Sequence, residues 1–352
     1  MNLEEAKTAL DKVIRKTRSH FYKPIQIAEI LYRDRTVGDI DLLKLETYRT
    51  VSRRWRDHIC LEFVGRTSTS SARYQDDVFN ENATPPSVLA ILGQENRNHQ
   101  GIVEAYIYRK FFQRLSQMLS GLDYCQQQDQ NHFRLEKFLK LFWSEPGLKR
   151  SIDKIYEIVV YALFSAIIDY LEISVKVMVS ETKVNILREF ADFSEKVLQL
   201  SPEDPSLEVK GQLHRVGITN AADHGLDMWA NFGLTIQIKH LSLTEELAEG
   251  IVNEVSSDRM VIICKDAEQK MIISLLNQIG WRSKIQSIIT ENELIDWYEK
   301  ALRGCYAEVL AEKVLSNLRQ EIAVEFPATD HQKFLAFRDE RGYSHLQNSC
   351  WS

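Results

Sequence analysis

The chain has 352 residues, a net charge of −6 and an apolar fraction of 44%. That length allows one large domain or two ordinary ones with a sizeable core, and the acidic balance excludes a broadly basic coat while leaving room for a local basic surface. Five scattered cysteines, Cys60, Cys125, Cys264, Cys305 and Cys350, form no C-x-x-C pair, so neither a zinc site nor a disulfide framework is indicated, and free thiols in a reducing cytoplasm are the simplest account.

Residues 2–18 read as an amphipathic helix with Leu3, Ala6, Leu10, Val13, Ile14 and Thr17 on one face. Its charges set it apart from a signal peptide. A second helix starts at Pro24 and runs through Leu31, and a third, longer one spans Asp39–Leu61; the three can form a helix-turn-helix-like unit. Arg49, Arg53, Arg54, Arg56, Arg66 and Arg73 cluster here, opposed only by Asp57 and Glu62. Arg49, Arg53 and Arg56 share a helical face at three- and four-residue spacing. Such a face contacts DNA phosphates or forks onto guanine; otherwise it is a solvated face paired with acidic neighbours. The segment 65–86 is rich in Ser, Thr, Asn and Pro and reads as a loop. Its Arg73, Tyr74 and Gln75 suit groove and phosphate contacts. The DNA-contact candidates are therefore Arg49, Arg53, Arg54, Arg56, Arg73 and Gln75.

Asn98–Tyr108 opens a helix carrying Glu104, a candidate extra acid for a site. Residues 132–142 and 151–178 are apolar and helical in pattern, with a boundary at Pro146–Gly147. The most apolar run, Ile155–Ile168, meets Asp169 and Glu172 too soon to span a bilayer. Val184–Leu200 is another amphipathic helix. After residues 217–243 come a helix Thr244–Val255 capped by Thr244, a buried strand Arg259–Cys264, and a helix Ala267–Ile279 ending at Gly280. A strand Trp281–Ile289 and a helix Glu291–Leu302 follow. This order predicts an α/β sandwich with a central mixed sheet. Phe326–Ser352 is aromatic and mixed and receives no placement.

The chemistry concentrates in 217–243, GITNAADHGLDMWANFGLTIQIKHLSL. Asp227 ends a strand-like run, Asn231–Phe232–Gly233 is a short turn, and a second strand follows. Alternation puts Ile236 and Ile238 on one side of that strand, toward a core, and Gln237 and Lys239 on the other, toward a cleft. Ten residues separate Asp227 from Gln237, enough for a hairpin to bring them together. The Asp227 carboxylate, the Gln237 amide oxygen and the Ile238 carbonyl are oxygen donors of the kind Mg²⁺ takes. Lys239 would sit beside the scissile phosphate and the attacking water. Two other triplets do not meet these demands. Glu208–Val209–Lys210 has only Asp204 upstream, too close for a hairpin, and His331–Gln332–Lys333 lacks the Asp its pattern requires, since Arg338 stands there. Neither G-x-x-x-x-G-K-[ST], G-x-S-x-G nor an Asn/Asp-Pro-Pro-Tyr motif occurs, which argues against an NTPase, a serine hydrolase and a methyltransferase.

D-H-G-L-D followed by Q-I-K resembles the PD-(D/E)xK nuclease superfamily in its Gln variant. The segments Tyr22–Leu31, Thr69–Asp77 and 217–243, and nearly the whole chain, resemble the HaeII-type restriction endonuclease family. The resemblance implies a restriction-endonuclease-like core, with a central mixed sheet flanked by helices, behind a mainly helical N-terminal region. Residues 1–150 would form a DNA-recognition region, 151–325 the catalytic core and 326–352 a tail. It implies Mg²⁺-dependent cleavage of duplex DNA at a palindrome of the RGCGCY kind, leaving 5′-phosphates. A palindrome implies a homodimer, and a restriction enzyme implies a cognate DNA methyltransferase in the same cytoplasm and no membrane association. Asp227, Gln237 and Lys239 would be catalytic, with Asp223 or His240 in support, and the helix before the hairpin would lend an acid, Glu189 or Glu195. The departure is Gln237 where Asp or Glu is usual, which removes one negative charge and puts a second metal position in doubt. The competing reading is a DNA-binding protein on a nuclease-like fold without catalysis.

Overall fold

Asn2 starts the first helix, Leu3–Lys16: its side chain accepts the Glu5 N–H at 2.9 Å, and the Glu5 carboxylate accepts the Asn2 N–H at 2.9 Å. The computed structural model describes residues 2–17, 20–68, 70–144, 152–216, 226–239, 259–265, 285–326, 331–346 and 349–351, together with Lys270 and Ile273. These fall into two units. One holds the chain up to Ile155 and from Arg319 onward; the other holds the described residues from Tyr156 to Leu318.

The first unit is helical. Its central helix, Tyr22–Thr36, buries every residue from Pro24 to Leu31, so it is enclosed on all sides rather than lying on a surface. Leu3–Lys16, Val51–Val64, Pro86–Asn98 and Ile102–Gln127 pack around it. The expected Asp39–Leu61 helix is broken: a 3-10 turn at Leu45–Thr47 precedes Val51–Val64. Local side-chain bonds explain the break. The Asp41 carboxylate accepts the Leu43 N–H at 3.0 Å and the Thr47 hydroxyl donates to the Lys44 carbonyl at 2.8 Å, which competes with the helical ladder. The 65–86 stretch holds more structure than a loop, with a helical turn Ala72–Asp76 capped by Ser71 and a 3-10 turn Asp77–Phe79. Pro86–Asn98 adds a helix to the expected set; its first residue is a proline, tolerated where an N–H has no helical partner.

The C-terminal residues belong to this core. Phe334, Phe337, Tyr343 and Trp351 are buried in it. Phe334 and Phe337 stand edge-on to Phe63 at 5.3 and 5.1 Å between centroids, and Trp351 meets Tyr106 at 5.3 Å. Two buried carboxylates fasten the same region. Glu29 accepts from Arg341 at 2.7 and 3.1 Å and from the Tyr108 hydroxyl. Glu104 accepts from Arg35 at 2.9 Å through each oxygen, and from Tyr343 and Asn96.

In the second unit, the apolar run 151–178 is not one helix. Ile152–Tyr170 is helical, Glu172 takes a left-handed conformation at φ 49°, and Ser174–Met178 forms strand β1. Ile173, Val175 and Val177 alternate here, and β-branched residues in alternation favour extended backbone. β1 pairs antiparallel with β2, Ser206–Lys210, as a separate two-stranded sheet. Between them the expected Val184–Leu200 helix is divided into Val184–Glu189, Ala191–Phe193 and a π-helical turn Ser194–Leu198.

Among the described residues the main sheet has five strands in sequence order: β3 (Leu213–Arg215), β4 (Met228–Ala230), β5 (Leu234–Lys239), β6 (Arg259–Cys264) and β7 (Ile285–Thr290). β3, β4 and β5 run antiparallel, while β5, β6 and β7 run parallel, so the sheet is mixed. β6 has the bounds its apolar run predicts and is buried from Met260 to Cys264. β7 covers the described part of the strand expected over Trp281–Ile289, whose residues 281–284 lie outside the described residues, and Thr290 caps the next helix, Glu291–Arg303, in a box with Glu293. The Tyr298 hydroxyl donates to the Val159 carbonyl at 2.8 Å, tying that helix to Ile152–Tyr170. The helices expected at Thr244–Val255 and Ala267–Ile279 lie outside the described residues, apart from Lys270 and Ile273. Among the described residues no helix is long and apolar enough to cross a membrane.

Candidate active site

The hairpin forms where the sequence places it. Gly233, at φ 85°, closes the turn, and its N–H donates to the Ala230 carbonyl at 3.0 Å. β4 and β5 pair in the register Met228↔Ile236 and Trp229↔Thr235. One step further along this register, Asp227 stands opposite Gln237. The Ile238 N–H donates to Asp227 Oδ2 at 2.7 Å, while the Asp227 carbonyl accepts the Val216 N–H at 2.9 Å. The acid is thus gripped through its main chain by the β3 side and through its carboxylate by β5.

Ile236, Gln237 and Ile238 are all buried, so both faces of β5 are covered at this point. The alternation argument expected Gln237 to face an open cleft. An inner strand of a mixed sheet, flanked by β4 and β6, is covered on both sides, and this overrides the simple in-and-out pattern. Lys239 ends β5 opposite Cys264; its side chain, and Asp223 and His240 entirely, lie outside the described residues.

The other candidates are dispersed in role. Glu104, expected as an accessory acid, is fully buried in the first unit and bonded to Arg35, Asn96 and Tyr343, so it is a packing group. Glu189 ends the short helix Val184–Glu189, and it and Glu195 are exposed. Arg49 lies ahead of the Val51–Val64 helix rather than on it, and it converges with Arg53 on Asp76, with Arg49 Nε at 2.8 Å. Arg56 is corrected from a DNA contact to a core residue: it is 1% exposed, donating to Asp57 at 2.8 and 2.6 Å and to Gln26 at 3.2 Å. Burial of its helical position decides this, since spacing alone cannot say which face of a helix meets solvent. Gln75 is half-buried and its amide donates to the Ser70 carbonyl. Arg54, Arg73 and Tyr74 are exposed, and Lys23 Nζ stands 4.3 Å from the Tyr74 ring centroid. Burial lowers the Lys23 ammonium from its ordinary value, with Asp77 pulling the other way.

The HaeII restriction endonuclease family matches residues 6–343. The chain belongs to that family. It is 59% identical over 343 residues to "Type II restriction enzyme HaeII" of Haemophilus aegyptius, covering 97% of each chain. It is 57% identical over 346 residues to "Type II restriction enzyme NgoBI" of Neisseria gonorrhoeae, covering 97% of this chain and 98% of that one. No solved structure matches it. By membership it is an enzyme, a type II restriction endonuclease.

The Asp227 carboxylate, the Gln237 amide and the Ile238 carbonyl are the oxygen atoms here that could hold a hard divalent cation. The 2.7 Å contact keeps the carboxylate at the 237–238 peptide, so the three belong to one locality. Among the described residues no three His, Cys, Asp or Glu side chains gather to hold an ion, and Asp227 is the acid of this set. Two neighbours were not flagged from sequence. Trp229 is exposed and stacks on His214 of β3 at 4.4 Å between centroids, two residues along from Asp227. The available signal was the alternation Asp227, Trp229, which puts both on one side of the strand. Arg215, opposite Met228 on β3, is buried near Glu157 at 3.9 Å.

Proposed function

We propose that this chain is a Mg²⁺-dependent restriction endonuclease that cuts both strands of a short duplex palindrome of the RGCGCY kind as a two-fold homodimer, leaving 5′-phosphate and 3′-hydroxyl ends. The observation that carries the reading is the Asp227 carboxylate, held 2.7 Å from the Ile238 amide in the register that opposes it to Gln237. Asp227, Gln237 and the Ile238 carbonyl would hold the ion, which when bound supplies Lewis acidity at the phosphate and makes water more acidic. Lys239 orients the attacking water and offsets the charge that grows on the phosphate oxygens. Water attacks phosphorus in line with the leaving 3′ oxygen; the new P–O bond stays with the 5′ end and the 3′ oxygen takes up a proton. Anchoring Asp227 to the sheet at both its main chain and its carboxylate fixes the geometry before substrate arrives.

The two relatives, both type II restriction enzymes by name, support the activity. The target class rests on the family resemblance, and two-fold symmetry follows from a palindrome, whose half-sites need the same reading surface twice. Arg54 and Arg73 are exposed, Tyr74 follows Arg73 in the chain, and the three are suited to phosphate and groove contacts. A methyltransferase of the same specificity, in the same cytoplasm, is the implied partner that protects host DNA.

The test is incubation of the purified protein with unmethylated bacteriophage DNA and Mg²⁺, with EDTA and Asp227→Ala controls. Discrete bands lost in both controls are expected, and end-mapping then gives the target and the cut. DNA that shifts on a gel but stays intact under Mg²⁺ and Mn²⁺ would instead mark a binding protein.

A further inference from the structure

The β3–β4–β5 end of the main sheet carries an aromatic pair that the hairpin chemistry does not use. Residues directly opposite each other on neighbouring strands share a face of the sheet. Leu213 pairs with Ala230, and Met228 with Ile236; all four are buried and make the core face. His214, Trp229 and Thr235 line up across the three strands on the other face. None of the three is buried, and Trp229 is 42% exposed. Asp227 stands two positions before Trp229, so alternation puts it on this second face as well.

The pair is held in place. The Trp229 indole stacks on the His214 imidazole at 4.4 Å between centroids with 27° between the planes. Both ends of the β3–β4 pairing are fastened. At one end the Asn231 amide donates to the Lys210 carbonyl at 2.8 Å and its oxygen accepts the Gln212 N–H at 2.9 Å. At the other the Val216 N–H donates to the Asp227 carbonyl at 2.9 Å. A ring fixed before its partner arrives gives up little freedom on binding. Two strand positions span about 7 Å, and a DNA strand carries a phosphate at about every 3.4 Å of axis. With the scissile phosphate at Asp227, Trp229 therefore meets the same strand one or two nucleotides away. A duplex brought to the hairpin by its phosphate offers sugar and phosphate there. An indole suits both, with an apolar face for the sugar and an N–H for a phosphate oxygen.

We propose that Trp229, braced by His214, is a DNA-backbone contact of this nuclease: its ring packs on a deoxyribose beside the scissile phosphate and its indole N–H donates to a neighbouring phosphate. The contact sets the strand in register with Asp227 and carries no base information, since sugar and phosphate are the same at every step. His214 acts through Trp229, as a positioning residue that holds the indole plane. The inference rests on the nuclease reading of the hairpin, but the contact is measurable without cleavage.

The experiment is a tryptophan-fluorescence titration of the full chain with short duplexes, with and without an RGCGCY site, in Ca²⁺ in place of Mg²⁺. Cleavage kinetics in Mg²⁺ and thermal unfolding run alongside. The chain has six tryptophans, so the wild-type signal minus that of Trp229→Phe isolates this ring. DNA should change the isolated emission. Trp229→Ala should weaken binding about tenfold or more on both duplexes, and raise KM by a similar factor with kcat kept. Trp229→Phe, which keeps a ring and loses the donor, and His214→Ala, which loses the brace, should each cost less. The melting temperature should hold throughout, because the indole is exposed. Emission that ignores DNA would overturn the proposal, as would a loss confined to the site-bearing duplex or a fall in melting temperature with binding unchanged. A Trp229→Ala chain that cuts with the wild-type KM would remove the contact and spare the nuclease. A wild type whose Trp229 emission responds to DNA but which never cuts would keep the contact and remove the nuclease.

Discussion

Glu104 and Asp227 are two acids held in different ways in one chain. In the first unit, Glu104 is surrounded by Arg35, Asn96 and Tyr343, side chains from three segments that answer its charge and its lone pairs. In the second unit, Asp227 is held by a main-chain N–H of β5. A neutral amide fixes a carboxylate in place without itself cancelling the net charge. A guanidinium cancels it. Glu104 fastens its core, and Asp227, in the proposed nuclease reading, is the acid that would meet the ion.

Substitution can break or sharpen this contrast. The largest effect is expected at the hairpin. Asp227→Ala and Lys239→Ala should each lower the cleavage rate by about 10³ or more, roughly 4 kcal/mol of transition-state stabilisation, with DNA binding retained by Lys239→Ala. Single-turnover cleavage with the urea midpoint as control reads this out. If Asp227→Ala instead kept its activity and lost stability, the two acids would be of one kind.

Glu104→Ala should do the opposite, costing about 3 to 5 kcal/mol of stability by stranding Arg35, with cleavage per folded molecule preserved. Phe334→Ala, which empties a ring from the same core, should cost about 3 kcal/mol or more in urea unfolding and would show that the C-terminal residues belong to the unit rather than trail from it. Among the arginines, Arg54→Ala and Arg73→Ala should weaken DNA binding alike on all sequences and lower the salt slope by about one each. Arg56→Ala should register in thermal unfolding instead, because its partners Gln26 and Asp57 are its own neighbours. The smallest effect is Asn2→Ala, about 1 kcal/mol from loss of the first helix's cap, seen as a shift in melting temperature.

Short-range chemistry was legible in advance. The turn at Gly233, the β6 run and the helix from Glu291 each depend on residues within a few positions of one another, and each forms where pattern puts it. The pairing of Asp227 with the Gln237–Ile238 segment was legible for the same reason, since a tight turn leaves a hairpin one register. Misreadings arose where periodicity is ambiguous. The run 151–178 is apolar enough for a helix or a buried strand, and Glu172 decides by turning left-handed. Asp41 and Thr47 end a helical pattern through bonds that a hydrophobic period does not see.

The sequence by itself determined the family and the hairpin that sets Asp227 against Gln237 and Ile238, because these depend on residue identity and on chain neighbours. Tertiary structure alone decided that Arg56 and Glu104 are interior fasteners, that Gln237 is enclosed, and that Phe334 and Trp351 complete a core begun more than two hundred residues earlier. Burial and long-range partnership are properties of how surfaces meet. A side chain's type sets what it can bond, and only the packed chain sets what it finds.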